Sequence, residues 1–497
     1  MAAGKEEDPM TRRRLILTTL AILAVALPAS AQVQDWKQIK YPPLHPMNIP
    51  EPQRVTLPNG MLVMLMEDHE LPTIEVSAQI RTGSRHVPAD KTGLGQVFGS
   101  ALRTGGTKTM TGDQIDDFLE ARGARIESFL GQDSGSAEAW SLKQDFPEVF
   151  KVFVDVIRNP TFAEDKIAIA KNQVASGIAR RNDNPTSIMF REFQKIVYGT
   201  DSPYARTPEF ATLDQVKRAD LVTFHQKYYQ PNRMILGVVG DFDSKQMLET
   251  IRSTLGGWPK GPEAKDPTTP IQSTLKPGIY YVQKDDMTQS DIIMGHLGIL
   301  KNNPDIFAVD VMNEAWGGGF AARLFSNVRS KKGLAYAVRG AVDSEYDHPG
   351  TFNAWMTTKT ETTAAGIDAL MEEIEGLSKS PLTDAEVQRA KDSILNSFVF
   401  NYDSKGKILN QQMVYAYFGF PADYLSRYRQ NIEKVTPADV NRVAKKYIHK
   451  DQLAILVVGP TKGQDKPLSS YGTVVPVDIT IPKPKTPAGS ASKKSAP

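Results

Sequence analysis

Residues 220–240 and 439–459 carry one pattern twice, at an offset of 219 residues. Asp220, Leu221, Tyr228 and the run Val238-Val239-Gly240 return as Asp439, Val440, Tyr447 and Val457-Val458-Gly459. Each copy reads as a helix, a turn and a buried strand, because apolar residues at helical spacing give way to a short continuous apolar run. Leu213 and Val216 match Ile432 and Val435 at the same offset, and Ala170-Lys171 match Ala390-Lys391 one residue out of phase. A chain that repeats itself over this distance folds as two like halves. Solenoid repeats have units of about 20 to 50 residues, and 497 residues are in any case too many for one ordinary core.

The halves are predicted at 50–258 and 278–465, joined by a linker at 259–277. Pro259, Pro262, Pro267 and Pro270 fall within twelve residues of that linker and can continue neither a helix nor a central strand. In the first half, Asn59-Gly60 between apolar runs predicts a hairpin, and Ile74, Val76, Ala78 and Ile80 alternate as in a half-buried strand. Thr111 and Gln114 form a capping box for a helix that buries Ile115, Phe118 and Leu119 and stops at Gly123. Thr383 and Glu386 do the same in the second half, ahead of Val387, Ala390 and Ile394. The expected fold class is α+β, two duplicated domains, each a mostly antiparallel sheet packed with helices. The tail 483–497 is Pro, Lys, Ser and Ala with little to bury, and is expected to be disordered.

The 59 Lys and Arg nearly balance the 57 Asp and Glu, which gives no footprint for nucleic acid. Arg12-Arg13-Arg14, the apolar run Leu15 to Leu27 and the small residues Ala29-Ser30-Ala31 read as a secretory signal over 1–31, with Met1 or Met10 as its start. The run is shorter than the roughly 20 residues that span a bilayer, so no stable membrane anchor is expected. The expected address is periplasmic or secreted.

Chemistry is conspicuous by which residue types are missing. There is no cysteine, so neither a thiolate ligand nor a cysteine nucleophile is available. His45, His69, His86, His225, His296, His348 and His449 lie more than a helical turn apart in sequence, and no G-x-S-x-G elbow occurs. Gly317-Gly318-Gly319 allows close backbone approach and positive φ, and a loop there is as compatible with the glycines as a binding role.

The stretch Gly317 to Tyr336, with Arg323, Val328, Arg329 and Gly333 between, resembles the glycine-rich turn and Arg/Tyr pair in the second half of pitrilysin/insulinase-type zinc peptidases. Gly93 to Leu102 sits where that family carries its H-x-x-E-H zinc helix. The resemblance covers residues 50 to 465 and implies a clam-like half chamber. It also places Gln96, Gly99 and Ser100 at the ligand and base positions, and Ser176-Gly177 at the third ligand, ahead of Arg180 to Pro185. A helical zinc site needs two imidazoles one turn apart with a carboxylate between them. None of these residues supplies either, so no metal is expected in this chain.

By the same resemblance, Tyr336 and Arg329 stabilise the oxyanion and hold substrate, Gly317, Gly318 and Gly319 contact substrate, and Gly131 to Trp140 forms the edge strand to which a peptide adds. The implied function is the non-catalytic subunit of a heterodimeric zinc metallopeptidase, inactive alone, with peptide substrate and with zinc in a homologous H-x-x-E-H partner. The alternative is a catalytically dead binding or assembly protein with a peptidase-like fold.

Overall fold

The computed structural model describes residues 49–263, 271 and 275–483. The signal expected at 1–31, most of the proline-rich linker and the tail beyond 483 lie outside the described residues.

The first half runs β1 (Gln53–Thr56), β2 (Leu62–Glu67), β3 (Thr73–Ile80), α1 (Leu94–Thr104), α2 (Gly112–Glu120), β4 (Arg125–Leu130) and β5 (Gly135–Leu142). It continues through α3 (Phe146–Arg158), α4 (Glu164–Arg180), α5 (Pro185–Tyr198), α6 (Phe210–Asp214), α7 (Arg218–Tyr228), β6 (Met234–Gly240) and α8 (Ser244–Leu255). The second half runs β7 (Gly278–Gln283), β8 (Gln289–Leu297), β9 (Ile299–Leu300), α9 (Ile306–Asn313), β10 (Ala337–Val342), β11 (Ser344–Glu345) and β12 (Thr351–Lys359). It closes with α10 (Thr363–Lys379), α11 (Asp384–Asn401), α12 (Lys405–Tyr417), α13 (Tyr424–Lys434), α14 (Pro437–Tyr447), β13 (Ala454–Gly459) and β14 (Val474–Pro476).

Each half builds one six-stranded sheet, in the orders β1-β2-β6-β3-β5-β4 and β10-β12-β8-β13-β7-β14. The strands that end the repeated motif, β6 and β13, occupy matching places. β6 lies parallel to β2 and antiparallel to β3, and β13 lies parallel to β7 and antiparallel to β8. Both are buried along their whole length, which is why they read as apolar runs rather than alternating ones. The α+β plan of two like, mostly antiparallel sheets is therefore what the chain adopts.

Local signals act where the sequence put them. Thr111 accepts from the backbone of Gln114, whose side chain accepts in return, and Thr383 does the same with Glu386; such caps contribute about 1 kcal/mol each. Gly60 sits at φ 88° between β1 and β2. Behind the first sheet, Phe98 on α1 is fully buried, with the rings of Phe162, Phe224 and Tyr229 within 4.9 to 5.5 Å. Burial of such a side chain is worth about 1.5–3 kcal/mol.

The halves also exchange helices. α5 leaves the first half and packs on β8 and β13, where Ile188, Met189, Phe193 and Val197 meet Ile293, Leu456 and Val458. α12 makes the reverse crossing to β2, β3 and β6. It fits because Gly237 has no side chain: a Cβ there would stand 2.3 Å from Met413 Sδ. At the offset of 219 the other copy has Leu456, which fills the contact with α5 instead. Polar ties accompany the exchange. Arg54 donates to Gln412 Oε1 at 2.7 Å, Lys405 Nζ to the Glu67 carbonyl at 2.9 Å, and Tyr198 Oη to the Pro349 carbonyl at 3.0 Å.

Two features differ from the sequence reading, the end of the second half and the place of the strand within 131–140. The second half does not end at 465, since β14 adds to β7 and the following residues run back to the first half, where the Ile479 carbonyl accepts from Asn182 at 2.7 Å. Within the linker, Ile271 and Leu275 pack on the α5 cluster. The strand within 131–140 is not an edge: β5 lies between β3 and β4, and β4 is the edge. Alternation along β5 reflects two unlike faces of an interior strand, a pattern that by itself does not report lateral neighbours.

Candidate functional site

α1 presents a buried stripe of Leu94, Val97, Phe98, Ala101 and Leu102 to the core. Of the positions with family counterparts, Gln96 is exposed, Ser100 half-buried and Gly99 buried. Gly99 is pressed onto the edge strand: a Cβ there would lie 2.7 Å from the Leu130 nitrogen and 3.3 Å from the Phe129 carbonyl carbon. Ser128 Oγ donates to the Gly99 carbonyl at 2.6 Å, which fixes this approach. Gly177, on an exposed turn of α4, would meet nothing within 4 Å. An amide, a hydroxyl and two glycines do not form a zinc donor set.

Among the described residues, one group of possible ligands comes together, Asp133, Asp347 and His348. It already holds a cation, because Arg85 ion-pairs with Asp347. Tyr204 donates to the same carboxylate at 3.0 Å and stacks on His348 at 3.8 Å. Burial pushes the His348 imidazole below its ordinary value. This cluster ties the two halves, with the Asp347 carboxylate engaged by Arg85 and Tyr204.

The second half brings its sequence-predicted residues together. α9 passes into a π-helical turn at Glu314–Gly318, and a second π-helical turn spans Phe325–Lys331; such turns cost helix geometry and recur at functional sites. Trp316 is fully buried and faces the Phe352 ring at 5.9 Å. Gly317 then lies against β10 so closely that a Cβ would fall 2.2 Å from the Gly340 carbonyl oxygen. A Cβ on Gly340 would in turn meet the Trp316 ring at 2.4 Å. The close approach expected of the glycines is present at Gly317, whereas none of the three has positive φ. Gly333, at φ 66°, makes the turn that leads to Tyr336.

Arg323 serves as an anchor. It pairs with Glu386 at 2.6 Å and donates to the carbonyls of Ser380 and Pro381, which fastens the loop to the start of α11. Burial pushes the Glu386 carboxyl up, but bonds from Arg323 and Thr383 outweigh it and hold the group at about 2.

Arg329 and Tyr336 face one cavity of about 430 Å³, which Gly317, Gly318 and Gly319 also line. The guanidinium lies 4.7 Å from the Phe325 ring centre and 5.8 Å from that of Tyr336. Tyr336 is 77% exposed and its backbone nitrogen donates to Thr357 at 3.1 Å, so the strand holds the residue while the phenol projects. Among the described residues no carboxylate pairs with Arg329 and no group bonds the Tyr336 hydroxyl. Phe320, Phe325, Ala337, Val338, Arg339 and Trp355 complete the lining, none of which the sequence reading named as a site residue. Phe320 and Phe325 lie inside the glycine-to-tyrosine stretch and Arg339 follows it. Trp355 comes from β12 and had no local signal.

Two family models match the chain. The one described as Insulinase (Peptidase family M16) covers residues 62–205, and the one described as Peptidase M16 inactive domain covers 215–394. An uncharacterized zinc protease of Mycobacterium tuberculosis is 26% identical over 426 residues, 84% of this chain and 95% of its own. The uncharacterized zinc protease YmxG of Bacillus subtilis is 24% identical over 71% of this chain and 85% of its own. The crystal structure of a peptidase M16 inactive domain from Pseudomonas fluorescens superposes with a TM-score of 0.76 at 26% identity, covering 84% of this chain and 99% of that one. A protease structure from Helicobacter pylori shares the fold, with a TM-score of 0.73 at 22% identity over 83% of this chain and 100% of its own.

Proposed function

The chain belongs to the insulinase-type M16 peptidase family, and from that membership we propose that it is a non-catalytic subunit of a heterodimeric zinc metallopeptidase. In this reading it lends substrate-binding and oxyanion-stabilising groups to a homologous partner that carries H-x-x-E-H and the metal. The supporting observation is a division within one molecule. Its first half has no imidazole or carboxylate at the family's ligand positions, while its second half holds Arg329 and Tyr336 beside one cavity without polar side-chain partners among the described residues.

When bound in the partner, zinc would supply the activated water and polarise the scissile carbonyl. This chain's part is electrostatic. The Tyr336 hydroxyl donates to the oxygen that gains charge, and Arg329 holds that charge or the peptide backbone; a fixed donor of this kind is worth about 10² to 10³ in rate. Gly318 and Gly319 lie at the cavity wall where substrate backbone can approach. An exported, periplasmic site of action belongs to the same proposal and rests on the basic-apolar-small pattern of residues 12–31.

The test is complementation. The purified chain is expected to cleave no peptide and to hold no stoichiometric zinc after dialysis, and mixing with a homologous H-x-x-E-H chain from the same genome is expected to produce activity. Zinc retained at one per chain, or turnover by this chain alone, would overturn the assignment. A stable complex whose turnover ignores Tyr336 would favour the binding or assembly protein.

A further inference from the structure

We infer that the second half holds a separate binding site for an aromatic carboxylate, at the foot of the exchanged helix α12. The site is a cavity of about 380 Å³ between the loop after β9, the start of α9, the loop that follows α12 and the first turns of α13. It shares no lining residue with the cavity of Arg329 and Tyr336, and the inference does not rest on the proposed peptidase role.

The aromatic preference comes from the walls. Tyr346 and Phe418 stack face to face at 4.1 Å with 5° between their planes, and Phe420 meets Tyr346 edge-on at 5.6 Å. Tyr424 stands edge-on to Phe420 at 4.9 Å, and Phe307 lies 6.0 Å from Tyr424. Rings so arranged offer both faces and edges to a further ring, which is favoured by about 0.5–1.5 kcal/mol per pair beyond burial. A pocket of this size, lined by these rings together with two cations and three asparagines, suits one ring and a short polar chain.

The anionic preference comes from charge. Lys301 and Arg427 line the cavity and no carboxylate does. Lys301 makes no ion pair within 4 Å among the described residues. Behind it, burial raises the carboxyl groups of Asp310, Asp343 and Glu345, and Lys301 lowers each in part. Among the described residues Arg427 ion-pairs with Asp423 alone, the N-cap of α13 one turn before it, at 2.8 Å with both side chains about half exposed. Such a surface pair is weak, so a ligand carboxylate competes for the guanidinium. Asn302 and Asn431 also line the cavity, and their amides are able to donate to a carboxylate. An aryl carboxylate arises in two ways, as a small aromatic acid or as a peptide's C-terminal aromatic residue.

Calorimetric titration of the full purified chain distinguishes these. The probes are 3-phenylpropionate, the peptide Ala-Ala-Ala-Phe with a free C-terminus, and the same peptide amidated. The free acids are expected to bind, and the amide at least about tenfold more weakly, as loss of a charge-assisted bond requires. The double variant Lys301→Gln, Arg427→Gln, checked for an unchanged melting curve, is expected to bind the free acids as weakly as the amide. Tighter binding of the peptide acid than of 3-phenylpropionate assigns the site to peptide termini, and the reverse order to small acids. Equal affinity for acid and amide, no binding of any probe, or a double variant that binds like the parent would each overturn the proposal.

Discussion

Gly99 and Leu130 stand so close that a Cβ on the glycine would lie 2.7 Å from the Leu130 backbone nitrogen. The position that the family resemblance sets against the carboxylate of H-x-x-E-H thus lies directly against an edge strand.

From this contact, Gly99→Ala is expected to destabilise the chain. The gain in helix propensity is about 1 kcal/mol, but the clash is with backbone, and overpacking of this kind costs about 1–3 kcal/mol. Gly177→Ala makes the opposite case. It sits in the last turn of α4 with open space around its Cβ position, so a gain of up to about 1 kcal/mol is expected. Urea unfolding of the two variants measures both signs; a stabilised Gly99→Ala would mean that β4 yields freely.

Gly317 and Gly340 make a second pair. Gly340→Ala would set a methyl against the buried Trp316 ring at 2.4 Å, and relief requires either β10 or the Glu314–Gly318 turn to move. A loss of about 1–3 kcal/mol is expected, together with weaker peptide binding, because β10 begins immediately after Tyr336. Thermal melting and peptide titration read the two effects separately.

Tyr336→Phe is expected to leave stability within about 0.5 kcal/mol, since the hydroxyl has no partner among the described residues and the residue is 77% exposed. In a reconstituted complex the same change is expected to lower kcat by about 10² with KM little altered. Arg329→Ala is expected to raise KM as well, since a cation also holds ground-state substrate. Steady-state kinetics on a fluorogenic peptide separates the two patterns.

Arg323 and Glu386 supply an acid-sensitive anchor. The Glu386 carboxyl is held at about 2, against an ordinary 4.5. A depressed carboxylate contributes its stability above the unfolded value and loses it as pH falls from about 4.5 through about 2. Glu386→Gln is therefore expected to flatten the stability profile across that window and to leave its shape above pH 5 unchanged. Unfolding curves taken from pH 2 to 7 check this, and a parallel downward shift at every pH would point to packing alone.

The sequence by itself determined what is local or repeated. The recurrence of 220–240 at 439–459 predicted two like halves; Thr111, Thr383 and Asn59-Gly60 marked caps and a turn; Gln96, Gly99 and Ser100 excluded a helical zinc site by donor chemistry. Each of these depends on residues within one turn or strand, or on a residue's own side chain. Tertiary structure decided the rest. Alternation along β5 could not tell an interior strand from an edge, because the pleat fixes faces and not neighbours. The crossing of α12 depends on Gly237 meeting Met413 and that of α5 on Leu456 meeting its apolar face, residues far apart in sequence, and β14 joins the second sheet through pairing that no local pattern announces. Trp355 reaches the Arg329 cavity, and Tyr346 reaches Phe418, only when separate strands, helices and loops pack. Contacts of that kind are set by packing across the whole fold, and a one-dimensional pattern does not contain them.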